Sequence, residues 1–275
     1  MTGNDPDFKL FRDYLERTCG IVLGDNKQYL VSSRLGRLLE QKGIQSLGEL
    51  VKLVQQQPHS GLREMVVNAM TTNETLWFRD GYPFEVLKSR LIPEFIRDYP
   101  GQRLRIWSAA CSSGQEPYSL SMAIDEFERA NPGQLRGGAQ IVATEISTAM
   151  LNTSRAACYD GLAMARGLSA ERKARHFDET ARGEWTVKQA LRSRVEFRQL
   201  NLLDSYSILG KFDIVFCRNV LIYFSADVKK DILRRIHATL RPGGYLILGA
   251  SEALNGLPEL YSMVQCNPGI IYKAR

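Results

Sequence analysis

Two hydrophobic periods divide this chain, and the place where one gives way to the other limits its fold more than any other feature. Residues 7 to 70 carry helical spacing only. Phe8, Phe11, Leu15 and Cys19 share one face, Leu30, Val31, Leu35, Leu38 and Leu39 a second, and Leu47, Leu50, Val51 and Val54 a third. After Arg79, short β-rich runs alternate with amphipathic segments: RLRIWS from Arg103 to Ser108, AQIVATE over 139–145, FDIVFC over 212–217 and GYLILG over 244–249. Strands that alternate with helices build a doubly wound, mostly parallel sheet. Near the end, Tyr261 to Gln265 and Gly269 to Lys273 flank Asn267 and Pro268, which reads as a closing antiparallel hairpin. Between Trp185 and Arg198 the segment TVKQALRSRVEFR interrupts the alternation and reads as short strands outside the main sheet. The expected fold class is therefore α/β, with a small inserted β subdomain at about 177–198 and a small all-α domain in front. The helical domain is expected over 1–70, a linker over 71–90 and the α/β domain over 91–275. With no repeat, low-complexity tract or Gly/Ser-rich tether, the two domains are expected to pack firmly.

The 275 residues suffice for one large domain and a smaller one, and 44% apolar content supplies both cores. Five cysteines are odd in number, widely spaced and without a CxxC, which argues against a disulfide framework and for a reducing compartment. His59, His176 and His237 show no metal-site spacing, so no metal is expected. The N-terminus MTGNDPDFKL lacks a basic region followed by an apolar core, and no run of eighteen apolar residues occurs, so a cytoplasmic protein without membrane insertion is expected. The formal charge of +6 is uneven: residues 1 to 80 hold ten basic and ten acidic side chains, residues 155 to 200 ten basic and six acidic. This reads as a surface for an acidic partner, either a carboxylate-rich protein or nucleic acid, or else as a basic face kept for solubility.

The chemistry concentrates at two places. Ala109, Ala110, Cys111, Ser112, Ser113 and Gly114 join the strand RLRIWS to a helical pattern over Pro117 to Phe127, and small residues at such a turn let a nucleotide-like cofactor approach the backbone. The run lacks the GxGxxG spacing. Glu145 ends the next strand, where a carboxylate can accept from both hydroxyls of a ribose, or else simply cap the strand. Glu116 opens the helix, where it either stabilises the helix dipole or pairs with an ammonium. The decapeptide MTTNETLWFR, Met70 to Arg79, lies at the domain join. Its Asn73, Thr75 and Arg79 supply a carbonyl, a hydroxyl and a guanidinium side by side, suited to a zwitterionic ligand. On the second helix Arg34, Arg37 and Gln41 form a stripe opposite the leucines, either a solvated face or a docking surface for an acidic helix.

TTNETLWFRD, AACSSGQEPYS, ATEIS, RQLNLLD, CRNVLIYF and RPGGYLILGASE, in this order over residues 70 to 252, resemble the motifs of CheR-type chemotaxis receptor methyltransferases. The preceding helical bundle is similar to that family's N-terminal domain. The resemblance implies a Rossmann-like S-adenosylmethionine methyltransferase sheet and an enzyme that esterifies glutamate side chains on the acidic cytoplasmic helices of chemoreceptors, leaving S-adenosylhomocysteine. Carried over by motif, Asn73, Thr75, Arg79 and Glu116 hold the methionine part, Glu145 the ribose, and Asn201 with Leu202 the adenine. Arg218 and Asn219 complete the cofactor wall, Arg79 and Tyr223 face the methyl group, and Arg34 with Arg37 read the receptor helix. Where the family commonly has Asp, this chain has Glu145, whose extra methylene moves the carboxylate. Some members dock a receptor's C-terminal peptide on the edge of the β subdomain. Here Glu179 to Val187 looks short and lacks their glycine-rich loop, which implies independence from such a tether.

Two other readings differ in class. A nucleic-acid methyltransferase suits the basic balance, but no Asn-Pro-Pro-Tyr type run presents an exocyclic amine. A non-catalytic S-adenosylmethionine sensor would not need Arg79 and Tyr223 at the methyl group.

Overall fold

The computed structural model describes residues 5–57, 59–254 and 256–275. Residues 1–4 of the helical domain expected over 1–70 lie outside them.

Four helices form the N-terminal domain: α1 (Pro6–Cys19), α2 (Gln28–Lys42), α3 (Leu47–Gln56) and α4 (Leu62–Met70). Local chemistry sets their ends. The Asp5 carboxylate accepts from the Asp7 N–H at the start of α1, and Gly20 closes that helix in the left-handed region. Ser46 caps α3 in the same way through the Glu49 N–H. The faces expected from periodicity meet in one core built on Phe8, Phe11, Leu15, Val31, Leu35, Leu50, Val51 and Val54.

Ten strands follow: β1 (Leu104–Ala109), β2 (Ala139–Glu145), β3 (Cys158–Tyr159), β4 (Phe177–Glu179), β5 (Trp185–Val187), β6 (Val195–Gln199), β7 (Phe212–Cys217), β8 (Leu240–Leu248), β9 (Tyr261–Gln265) and β10 (Ile270–Ala274). Seven make the main sheet in the order β6-β2-β1-β7-β8-β10-β9. The first five are mutually parallel, and β10 runs antiparallel between β8 and β9, which is the closing hairpin expected from the sequence. In β7 all six residues are buried, because alternate side chains enter cores on opposite faces. Ile214 and Phe216 pack with the helix Gln115–Ala130, whereas Val215 and Cys217 pack with the helix Ala226–Thr239.

The inserted β subdomain lies elsewhere than the expected 177–198. Its three strands, in the order β3-β5-β4, run from Cys158 to Val187. Val195–Gln199, read as part of the insert, is the edge strand β6 of the main sheet, paired in register with β2 from Ile141↔Val195 to Glu145↔Gln199. The residues of β6 are half-buried or exposed, as befits an edge, so their side chains look like those of a peripheral strand.

The linker is shorter than 71–90: a helix begins at Tyr82, and only the stretch up to Gly81 is irregular. Trp77 is fully buried and anchors it, donating from Nε1 to the Ala163 carbonyl at 3.0 Å and meeting Tyr159 and Phe177 edge-on. Beside it the Arg172 guanidinium lies 3.6 Å above the Phe78 ring.

Arg172 also pairs with Glu126 at 2.6 Å, and Lys88 reaches the same carboxylate at 2.8 Å. Burial raises the Glu126 carboxyl, but these hydrogen bonds outweigh it and hold the group at about 2. Its folded value is depressed, so its stabilisation is present above the ordinary value of 4.5 and is lost as pH falls towards about 2. Glu126→Gln should therefore cost about 1–3 kcal/mol at pH 7 and give a shallower loss of stability between those pH values, read by thermal unfolding across an acid series. An unaltered acid profile would remove Glu126 from that role.

Candidate active site

The strand-to-helix turn after β1 depends on Gly114. Its φ is +97°, and a Cβ there would stand 2.8 Å from the Ser154 Cβ and 2.9 Å from the Tyr159 hydroxyl. The chain can thus turn sharply from β1 into the helix Gln115–Ala130 while that helix packs close against its neighbours.

Over this turn, at the C-terminal ends of β1, β2, β6 and β7, lies a cavity of about 320 Å³. This is where open α/β sheets hold ligands. Asn73, Thr75, Arg79, Glu116, Glu145, Asn201, Leu202, Arg218, Asn219 and Tyr223 all line it, and so does Arg34. Arg37 does not, and is exposed.

Five non-glycine residues with left-handed backbone cluster on this cavity or beside it: Phe78, Asp80, Ala110, Ser112 and Asn219. Such conformations cost on the order of 1–3 kcal/mol each and persist where neighbours enforce them. The enforcing bonds are visible. Ser119 Oγ accepts from the Phe78 N–H at 3.0 Å, and Asp80 pairs with Arg218 at 2.7 Å. The Ser112 N–H donates to Glu145, and the Asn219 N–H to Glu252 Oε2 at 2.6 Å.

Glu145 is 5% exposed and accepts three backbone N–H bonds, from Ile146 at 2.8 Å, Ser147 at 2.9 Å and Ser112 at 2.9 Å. Burial raises its carboxyl, and those three donors counter the rise. A carboxylate offers about four acceptor positions. Three are taken, two of them by Glu145's own following N–H groups, which the longer side chain folds back to reach. One position remains to face the cavity, which leaves Glu145 room to accept from one ribose hydroxyl rather than the two expected for it.

Glu116 accepts from Ser108 Oγ at 2.8 Å and from Arg218 Nη1 at 2.9 Å, which leaves each oxygen one acceptor position for an ammonium. Arg218, 2% exposed, donates also to the Arg79 carbonyl at 2.7 Å. It is therefore a brace behind the cofactor wall. Arg79 is half-buried and held lightly, through one bond to the Glu74 carbonyl at 3.2 Å. Asn201 donates to the Thr18 carbonyl at 2.8 Å and accepts from the Leu203 N–H at 3.1 Å, which fixes the loop after β6 against α1.

The donor set suits S-adenosylmethionine. Glu116 could take its ammonium, Asn73, Thr75 and Arg79 its carboxylate and Glu145 a ribose hydroxyl, and Ile146, Leu200 and Leu202 offer apolar walls for its base.

The N-terminal domain contributes more than the sequence indicated. Ile21, Val22 and Leu30 line the cavity, and the Val22 N–H donates to the Tyr223 carbonyl at 2.9 Å. Gly20 lets this segment approach, since a Cβ there would stand 2.5 Å from the Phe224 ring. Arg34, expected at a receptor surface, donates to the carbonyls of Met70 at 2.7 Å and Thr71 at 3.2 Å and to Thr72 Oγ1 at 3.0 Å. It clamps the segment that leads into Asn73 and Thr75. Asp80, Ser119 and Glu252 end three of the quoted motifs but were given no role from the sequence; Asp80 holds the Arg218 guanidinium, and Ser119 and Glu252 hold the Phe78 and Asn219 N–H groups.

A sheet closed by an antiparallel hairpin, with such a cavity over its central strand ends, defines an S-adenosylmethionine-dependent methyltransferase. Residues 6–71 match the all-alpha domain of CheR methyltransferases and residues 73–270 their SAM binding domain. The chain is 73% identical to chemotaxis protein methyltransferase Cher2 of Pseudomonas putida and 71% to chemotaxis protein methyltransferase 1 of Pseudomonas aeruginosa, in each case over the whole of both chains. It is 33% identical to the chemotaxis protein methyltransferase of Escherichia coli, over 94% of this chain and 88% of that one. The chain belongs to the CheR methyltransferase family.

If Arg34 organises the cofactor segment, Arg34→Ala should weaken S-adenosylhomocysteine binding about 5- to 10-fold in calorimetry, the loss of roughly one charge-assisted bond. Arg37→Ala should leave that affinity unchanged. Equal losses in the two variants would overturn the clamp.

Proposed function

We propose that the protein transfers the methyl group of S-adenosylmethionine to glutamate side chains on the acidic cytoplasmic helices of chemoreceptors, in chemotaxis adaptation. The products are glutamate methyl esters and S-adenosylhomocysteine. One observation carries the choice of a carboxylate acceptor: the cavity offers no group placed to remove a proton. No histidine lines it among the described residues. The positions left open on Glu116 and Glu145 are those this reading gives to the cofactor's ammonium and ribose, and Glu74 pairs with Arg166 at 3.2 Å on the surface. Burial pushes the Cys19 thiol up to about 11 and raises the Cys111 thiol as well. An amine or hydroxyl acceptor would need a base, whereas a glutamate carboxylate is already ionised at neutral pH.

The cofactor supplies an electrophilic sulfonium methyl. The protein's part is to place the carboxylate in line with it and strip water from it, and good positioning can contribute on the order of 7 to 11 kcal/mol. Arg79 and Tyr223 both line the cavity, a guanidinium and a phenol suited to orient the two oxygens. Arg37, exposed one helical turn from Arg34, meets the acidic receptor helix, while Arg34 holds the cofactor segment. The β4–β5 connection is a tight turn, with the Thr180 N–H on the Glu184 carbonyl at 2.8 Å, which supports action without a receptor tether. The same reading places the protein in the cytoplasm. No helix among the described residues is long and apolar enough to cross a membrane.

Purified protein incubated with methyl-labelled S-adenosylmethionine and receptor-bearing membranes should deposit label that mild alkali releases. Alkali-stable label would favour methylated amines or nucleic acid, and no label despite cofactor binding would favour a sensor. In the same assay Arg79→Ala should lower turnover about 100-fold, with S-adenosylhomocysteine affinity falling less than 10-fold. Unchanged turnover would remove Arg79 from the reacting centre.

A further inference from the structure

Tyr223 belongs to a short 3-10 turn, Leu221–Tyr223, that separates two cavities. One is the cofactor cavity. The other, about 280 Å³, is a groove between this turn, the first turns of the helix Ala226–Thr239 and the segment Ser251–Ala253. Its floor is apolar, made by buried Leu221 and Leu233, and its rim carries Ile222, 51% exposed, with Lys229 and Lys230. Neither lysine makes an ion pair or a side-chain hydrogen bond among the described residues, although Asp231 on the same helix pairs with Arg235 at 2.6 Å. Glu252 also lines the groove, but one of its oxygens is occupied by the N–H groups of Asn219 and Gly249.

An exposed isoleucine and two cations unpaired among the described residues, beside the residue proposed to face the methyl group, make a mixed apolar and basic surface. We propose that this groove is a second substrate-contact surface, on the catalytic domain, for the acidic amphipathic receptor helix where it runs past the glutamate being modified. The inference rests on the proposed receptor substrate. The charge pattern commits the occupant: a helix that carries glutamates on one face and apolar residues beside them sets the apolar side on Ile222 and the acids on Lys229 and Lys230. One turn of helix advances about 5.4 Å, so residues three and four positions from the target glutamate share its face and come to the groove when that glutamate reaches Tyr223. The surface therefore selects glutamates that have an acidic and an apolar neighbour at that spacing, and it supplements docking on α2.

The test uses the full-length protein with receptor-bearing membranes and two variants, the double charge reversal Lys229→Glu/Lys230→Glu and, separately, Ile222→Ser. The charge reversal should raise KM for the receptor about tenfold with kcat within about twofold, and Ile222→Ser should raise it about threefold. Calorimetric affinity for S-adenosylhomocysteine should stay within about twofold of the parent in both. Receptor KM unchanged in both variants, while the parent deposits alkali-labile label, overturns the groove and leaves the proposed function standing. S-adenosylhomocysteine affinity falling in step with receptor KM overturns it too, because the effect then passes through the cofactor cavity. Absence of alkali-labile label from the parent removes both proposals together.

Discussion

The guanidinium of Arg218 stands between two carboxylates from distant parts of the chain, Asp80 at 2.7 Å and Glu116 at 2.9 Å, and donates as well to the Arg79 carbonyl at 2.7 Å. With 2% of its side chain exposed, it would be very costly unpaired, so the fold has to bring both acids to it. That demand fixes how the linker lies on the sheet. Asp80 is held in left-handed backbone by the pairing, the Arg79 carbonyl is turned inward, and the Arg79 side chain is thereby directed to the cavity. The planar fork of arginine spans the site, with Nη1 on Glu116 and Nη2 on both Asp80 and the Arg79 carbonyl. Its Nε–H has no partner among the described residues, so even this brace leaves one buried donor unmet.

The fold was legible wherever a strand is long and buried on both faces. β2 and β7 coincide with the runs AQIVATE and FDIVFC, since continuous apolar sequence of that length has few other uses in an α/β chain. The inserted subdomain was legible as an interruption and misplaced in extent. β3 has two residues and β4 three, too few for any period to show, so the start of the insert at Cys158 left no mark in the sequence. β6 alternates charged and apolar residues as any half-exposed strand does. That it pairs with β2 is decided by register along the sheet edge, which its own residues do not encode.

Of the candidate site, the residues themselves were legible and their division of labour was not. Ten positions named from motifs surround one cavity, as strand ends and the turns after them must in this architecture. What some of them do there depends on partners more than a hundred residues away. Glu116 and Arg218, each read as touching the cofactor, first meet each other across 102 positions, and Asn201 first meets Thr18 across 183. Glu145 shows the same limit at short range. The extra methylene relative to Asp was visible in the sequence, but its consequence, a carboxylate turned back onto its own Ile146 and Ser147 N–H groups, required the turn geometry after β2.

These contacts alter the meaning of the helical domain. Arg34 and Arg37 lie three residues apart on α2, one turned inward to the cofactor segment and the other outward to solvent. The last turn of α1 and the segment after it reach the same cavity, Thr18 on Asn201 and Val22 on the Tyr223 carbonyl. If an acidic helix docks on the outer face of α2, it therefore binds an element whose inner face already clamps the backbone before Asn73 and Thr75. Any shift or stiffening of α2 on docking is transmitted to the cofactor residues through three hydrogen bonds rather than through a flexible tether. Linkage then requires the influence to be mutual: whatever docking does to cofactor affinity, the bound cofactor does to docking by the same factor. In the proposed reaction this gives the N-terminal domain a reason to be fused to the catalytic sheet rather than supplied by a separate adaptor, because a separate docking module could raise the local concentration of receptor but could not hold the linker on which Arg79 is carried.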